Sequence, residues 1–211
     1  VKANSVDIRD GTGDASFRRY IRDFGAHVRK IKLSGECTEV AMYLVGMYCR
    51  DLTVVYHDGG ELAALSDLLK CNSNITELRF AELIDDEIQH MNSTACPLLK
   101  RLSISNCPNI SSFPWRNFVG LHVRCLHMDG LKCVTEADMV HIANTCCSLT
   151  ALAIRDMSLS DLVLADFTSA CSSVIKLDLT DNTVVTDAGI LSIVQNLKKL
   201  CKISLYACSS L

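Results

Sequence analysis

Cysteine occurs twelve times in the 211 residues, yet no two cysteines stand in a C-x-x-C pair, so the usual zinc-knuckle spacing is missing. No apolar run approaches the ~20 residues that a membrane-spanning helix needs, and no signal peptide is visible. Gly11-Thr12-Gly13 lacks the Lys-Ser/Thr ending of a phosphate loop and reads as a turn. Charge of one sign is also scarce. The net charge is −3, which argues against a nucleic-acid surface as the main business of the chain. Asp85-Asp86-Glu87 is too short an acidic run for calcium, which needs more oxygen ligands at defined spacing; it reads as a helix start, where the helix dipole favours negative charge. These absences leave no metal, cofactor, membrane or nucleic acid among the expected partners.

What is present is a repeated frame, L-x-x-L-x-L. It reads Val28/Ile31/Leu33, Ile75/Leu78/Phe80, Leu99/Leu102/Ile104, Val123/Leu126/Met128, Leu149/Leu152/Ile154, Val174/Leu177/Leu179 and Leu200/Ile203/Leu205. From Ile75 onward the first positions lie 24, 24, 26, 25 and 26 residues apart. One more unit is needed between Val28 and Ile75, where Cys49/Leu52/Val54 and Leu52/Val55/His57 both fit. The alternation within each frame predicts a short strand with one buried face. The best-formed copy, Val174 to Leu191, continues through a polar turn into a helical segment over Ala188 to Val194, with Thr186 or Asp187 as its N-cap. One strand and one helix of this size cannot bury their apolar faces alone, so a period of this length predicts a stacked leucine-rich solenoid.

Cysteines follow the same period. Cys96, Cys146 and Cys171 each stand three residues before a frame, and Cys107 and Cys208 stand where the strand turns, a place Asn182 takes in the Val174 repeat. A reduced cysteine packs as a small hydrophobe, so a column of them is expected to fill a core rather than to form disulfides. That points to a reducing compartment, cytoplasmic and/or nuclear. Three N-x-[ST] sequons at Asn74, Asn92 and Asn109 would suit a secreted chain, but such short motifs arise often by chance. In Cys146-Cys147 the first has the core role and the second is expected at the surface.

The frame, the cysteine positions and the segments ELIDDEI, KCVTEADM and VVTDAGI, with Asp86, Glu136 and Asp187 near the helix starts, resemble the cysteine-containing leucine-rich repeats found above all in F-box proteins of the leucine-rich-repeat family. The resemblance spans roughly Phe17 to Leu211 and weakens at SNCPNISSFPWRNF and SLSDLVLADF. It implies an α/β fold: a right-handed, curved solenoid (horseshoe) of about eight units, with a parallel sheet on the concave side and helices on the convex side. Residues 28–211 are expected to form the repeats, truncated at the C-terminus. Residues 1–27 are expected to supply a short strand at Ser5-Val6-Asp7-Ile8 and an amphipathic capping helix carrying Phe17, Tyr20, Ile21 and Phe24, with Gly25 as its stop. The phrase FRRYIRDFGAHVRKIKL resembles the link between an F-box and its first repeat, so the chain reads as an excerpt whose F-box would lie before Val1.

Function is expected on the strand residues between the apolar ones, which point to the open face. The central column reads Lys32, Arg79, Ser103, His127, Ala153, Asp178 and Ser204, with Arg101 in one flanking column and Asp129, Arg155 and Tyr206 in the other. The candidate partner-binding residues are Arg79, Arg101, His127, Asp129, Arg155, Asp178 and Tyr206. Cys125, His127 and Asp129 share a strand face and invite a nucleophilic or metal reading. Side chains at i, i+2 and i+4 spread apart along a strand, however, so a catalytic hydrogen-bond chain is hard to make there. Trp115 sits in SSFPWRNF with Phe113 and Phe118, a segment marked by Pro108 and Pro114, and is either a partner hot spot or packing in place of a missing helix; packing is favoured. The resemblance implies a non-enzymatic, substrate-recognising part of a Skp–cullin–F-box ubiquitin ligase. Its partners would be a protein target on the concave face and a Skp-type adaptor bound through the missing F-box. The alternative is a leucine-rich scaffold without an F-box; a hydrolase or metalloenzyme has little support.

Overall fold

The computed structural model describes residues 4–8, 15–34, 39–59, 63–83, 96–118, 120 and 122–211. Within them the chain is α/β, with parallel strands alternating with helices, an arrangement compatible with a solenoid. It divides into two compact units, Val1–Leu99 and Lys100–Leu211. In the first unit, strands β1 (Ser5–Ile8), β2 (Lys30–Ser34), β3 (Val54–Asp58) and β4 (Glu77–Ala81) pair side by side in chain order. Helices Ala15–Phe24, Glu39–Tyr48 and Ala63–Lys70 connect them. In the second unit the strands are β5 (Arg101–Ser105), β6 (Cys125–Asp129), β7 (Ala151–Arg155), β8 (Lys176–Asp178) and β9 (Lys202–Ser204), again parallel and in chain order. Their connections contain a single turn of helix at Trp115–Phe118 and then ten-residue helices at Glu136–Thr145, Asp161–Ala170 and Asp187–Asn196.

The apolar frame is the core. Every position of the six frames that precede Leu200 is buried, none more than 4 % exposed. The open choice in the second frame resolves to Leu52/Val55/His57: Ile31 pairs with Val55 and Val55 with Leu78, and Val54 turns to the open side. His57 thus occupies a place that leucine, isoleucine or phenylalanine fills elsewhere, and is buried there. The choice also adds Cys49, three residues before Leu52, to the cysteine column, alongside Cys96, Cys146 and Cys171; all four are buried. Asn72 holds the same position before Ile75. Its side chain accepts from the Leu52 N–H at 2.9 Å and donates to the Leu68 carbonyl at 2.9 Å, so the buried amide bonds backbone that would otherwise go unpaired.

The Ser5–Ile8 strand is present and does more than lead into a cap. It pairs with β2 along its whole length, so the N-terminal segment adds a strand as well as the amphipathic helix, which buries Ile21. After that helix, Gly25 begins a turn of 3-10 helix, where an added Cβ would lie 2.8 Å from the Tyr48 Cβ; the close approach requires glycine. After each of the strands β3 to β9 the chain bends through one residue with positive φ: Gly59, Glu82, Asn106, Gly130, Asp156, Asp181 and Ala207. Asp86, the Asp85-Asp86-Glu87 run, the Asn92 sequon and Gly11-Thr12-Gly13 lie outside the described residues.

Candidate functional site

Strand alternation places the polar members of each strand on the face opposite the frame, and the ladder register aligns them into columns. In the first unit the central column is Asp7–Lys32–Tyr56–Arg79. Tyr56 was not among the sequence candidates because its strand had two possible registers. It is the organising residue here: Lys30 Nζ and Arg79 Cζ each lie 4.6 Å from its ring centroid, within cation–π range. Its hydroxyl donates to Glu77 Oε1 at 3.3 Å, and Arg79 Nε donates to the same oxygen at 2.7 Å. Lys32 pairs with Asp58 at 3.4 Å. Arg79 itself stays exposed.

In the second unit the central column is Ser103–His127–Ala153–Asp178–Ser204. Arg155 Nε donates to Asp178 Oδ2 at 2.9 Å, and a second guanidinium nitrogen donates to the same oxygen. The other oxygen, Oδ1, accepts from the Thr180 N–H at 3.1 Å and hydroxyl at 2.7 Å. Partial burial pushes the Asp178 carboxyl up, but these hydrogen bonds outweigh it and hold the pKa at about 2. The Asp178 hydrogen bond raises that of Arg155 in turn. Arg101 is exposed on β5, and Tyr206 follows β9 with 77 % of its surface open. Ala151 and Ala153 make β7 the shallow strand of the face.

The structure aligns Cys125, His127 and Asp129 on β6 without forming a relay. His127 Nε2 lies 3.8 Å from Asp129 Oδ2, beyond hydrogen-bond range, and the three project in parallel from one strand. Among the described residues no group of three or more His, Cys, Asp or Glu side chains is placed to hold a metal ion. Trp115 is 2 % exposed and packs on Phe113, ring centroids 4.5 Å apart, which is the packing role and not an open hot spot. Cys147 is exposed beside buried Cys146, and burial pushes the thiols of Cys49 to about 11 and of Cys96 and Cys171 to about 12. Thiols held so far above neutrality are poor nucleophiles.

A scan against protein-family models finds no match, and no curated protein matches the chain.

Proposed function

We propose that this chain is a protein-binding array of cysteine-containing leucine-rich repeats, wound right-handed with its strands on the inner side, that reads a partner across the open strand face. The observation that carries the reading is an in-register column of outward strand residues in each unit, Asp7–Lys32–Tyr56–Arg79 in the first and Ser103–His127–Ala153–Asp178–Ser204 in the second. They are polar, mixed in charge and mounted on a rigid ladder, as a recognition face requires. The strand–helix alternation and the periodic cysteines support the repeat class, and the usual hand of a β-crossover-β connection supports the winding. By its resemblance to F-box proteins of the leucine-rich-repeat family, the module selects targets for a Skp–cullin–F-box ubiquitin ligase.

The test uses Arg79→Ala alone and the triple change His127→Ala, Arg155→Ala and Asp178→Ala. Arg155 and Asp178 are removed together so that neither charge is stranded. Target capture and ubiquitination in a reconstituted ligase should fall at least roughly tenfold in the triple variant, the loss expected when central interface residues are truncated. Adaptor binding by the full-length protein and the circular dichroism spectrum should not change. Undiminished capture by both variants would remove the strand face from the reading. Failure of the full-length protein to bind a Skp-type adaptor would leave the ligase-free scaffold as the function.

A further inference from the structure

The open face of the second unit is electrically polar along its strands. At the strand entrances, the residue just after the first frame position and the one that follows it form two adjacent rows. Across β5 to β9 these rows contain Lys100, Arg101, Arg124, Lys176 and Lys202 and no carboxylate. All five are exposed. Lys100, Arg124, Lys176 and Lys202 make no ion pair with any described residue. Lys176 and Lys202 are directly opposite each other in the ladder, and like charges so placed on neighbouring strands destabilise a sheet. The far ends of the same strands carry Asp129, Asp156 and Asp181, while the one cation there, Arg155, is committed to Asp178. The two poles lie about 13 Å apart at ~3.3 Å per residue, more than one Debye length at physiological ionic strength, so they do not cancel.

Shape adds to charge. The cations fall into two groups, one on β5 and β6 and one on β8 and β9, and between them β7 offers only Thr150, Ala151 and Ala153. No long side chain blocks a chain laid across the strands there. From β6 to β8 is two strand spacings, about 10 Å, which an extended peptide spans in three residues.

We propose that this face takes an acidic peptide segment of a protein partner, laid across the strand entrances with carboxylates seated on Lys100 and Arg124 at one side and on Lys176 and Lys202 at the other. The inference rests on the strand face being the binding face and adds the chemistry of what it binds. A charge-paired peptide relieves the Lys176–Lys202 repulsion, and the aspartate row at the far end turns away an anionic ligand that sits too far along the strands.

The test is fluorescence anisotropy with a labelled peptide alternating Glu and Ser, compared with the same peptide carrying Gln or Lys in place of Glu, with a phosphoserine peptide and with oligouridylate. The Glu peptide should bind, more weakly as salt is raised, and the Gln and Lys peptides should not. The double changes Lys100→Glu/Arg124→Glu and Lys176→Glu/Lys202→Glu should each weaken it by at least roughly tenfold. Asp156→Lys/Asp181→Lys should not weaken it. No binding of the Glu peptide, equal binding by the charge-reversed variants, or tighter binding of phosphoserine peptide or oligouridylate would overturn the proposal. If charge reversal spares capture of the cellular target while the His127/Arg155/Asp178 triple abolishes it, the face is right and the acidic peptide wrong. If neither change affects capture, the face itself is wrong.

Discussion

Gly189 is buried, and a Cβ there would collide with Asp161 Oδ1 and lie 2.9 Å from its Cγ. The Asp161 carboxylate accepts from the Thr186 N–H at 3.0 Å and from its hydroxyl. The threonine and glycine of V-T-D-A-G-I are therefore set by one aspartate of the preceding unit. Gly189→Ala should cost about 1 kcal/mol net, because displacing two charge-assisted hydrogen bonds outweighs the ~1 kcal/mol that alanine gains in a helix. In the Asp161→Ala background the same change should turn neutral or stabilising, and a double-mutant cycle measured by denaturant unfolding that shows no coupling would contradict this contact. Asp178 makes the pH-dependent contribution. Its pKa is lowered from 3.8 to about 2, so the stability it supplies is complete above the unfolded value and disappears as pH falls through the folded one. The pair is partly exposed, which limits its worth to about 1 kcal/mol or less. Asp178→Asn should flatten the acid-unfolding curve between roughly pH 4 and 2; superimposable curves would mean that the pair contributes nothing.

Helix starts decide the next scale. Thr135 forms a capping box with Asp138: the Thr135 hydroxyl accepts from the Asp138 N–H at 3.2 Å, and Asp138 Oδ2 accepts from the Thr135 N–H at 2.9 Å. Thr135→Val should cost about 1 kcal/mol in thermal unfolding, and an unchanged midpoint would show that the cap is not formed in solution. The repeat motif is decayed at SLSDLVLADF, yet a full helix forms there, because Ser160 supplies the cap and Val163, Leu164 and Phe167 supply the buried face. Capping and burial are the requirement, and the motif letters are one way of meeting it. At SNCPNISSFPWRNF the weakened pattern does mark a real difference: one turn of helix stands where the later connections have ten residues, and the Phe113–Trp115 pair fills the space. That much was legible, since two prolines in so short a stretch oppose a long helix.

On the scale of the whole molecule, thiol chemistry reports the stacking. Cys49, Cys96, Cys146 and Cys171 are buried with raised pKa values, while Cys147 and Cys201 are exposed. A thiol reagent applied to the native protein at neutral pH should label Cys147 and Cys201 quickly and the four column cysteines only on unfolding, as read by peptide mass mapping. Labelling of Cys171 as fast as Cys147 would dismiss the packed column. Stacking also explains the contrast between Leu177, 2 % exposed, and its ladder partner Ile203, 36 % exposed. A frame residue is closed over by the strand on its far side, and β9 has no described strand there.

The sequence by itself determined the strand frame, the period, the cysteine column, the outward columns on the later strands and a helix start at Thr186 or Asp187, of which the structure makes Thr186 the cap, because strand alternation and helix capping are written in residues close together in the chain. Only the tertiary structure decided the register of β3, since two overlapping frames satisfy the same local alternation and lateral pairing with β2 and β4 selects between them. That selection put Tyr56 between Lys30 and Arg79 and made Cys49 a member of the column. It also placed Asn72, a polar residue that local patterning would leave outside, in the core, where the Leu52 N–H and the Leu68 carbonyl give its amide partners. The cationic rows at the strand entrances belong to the same class. Lys176 and Lys202 are 26 residues apart in the chain and stand opposite each other only because β8 pairs with β9.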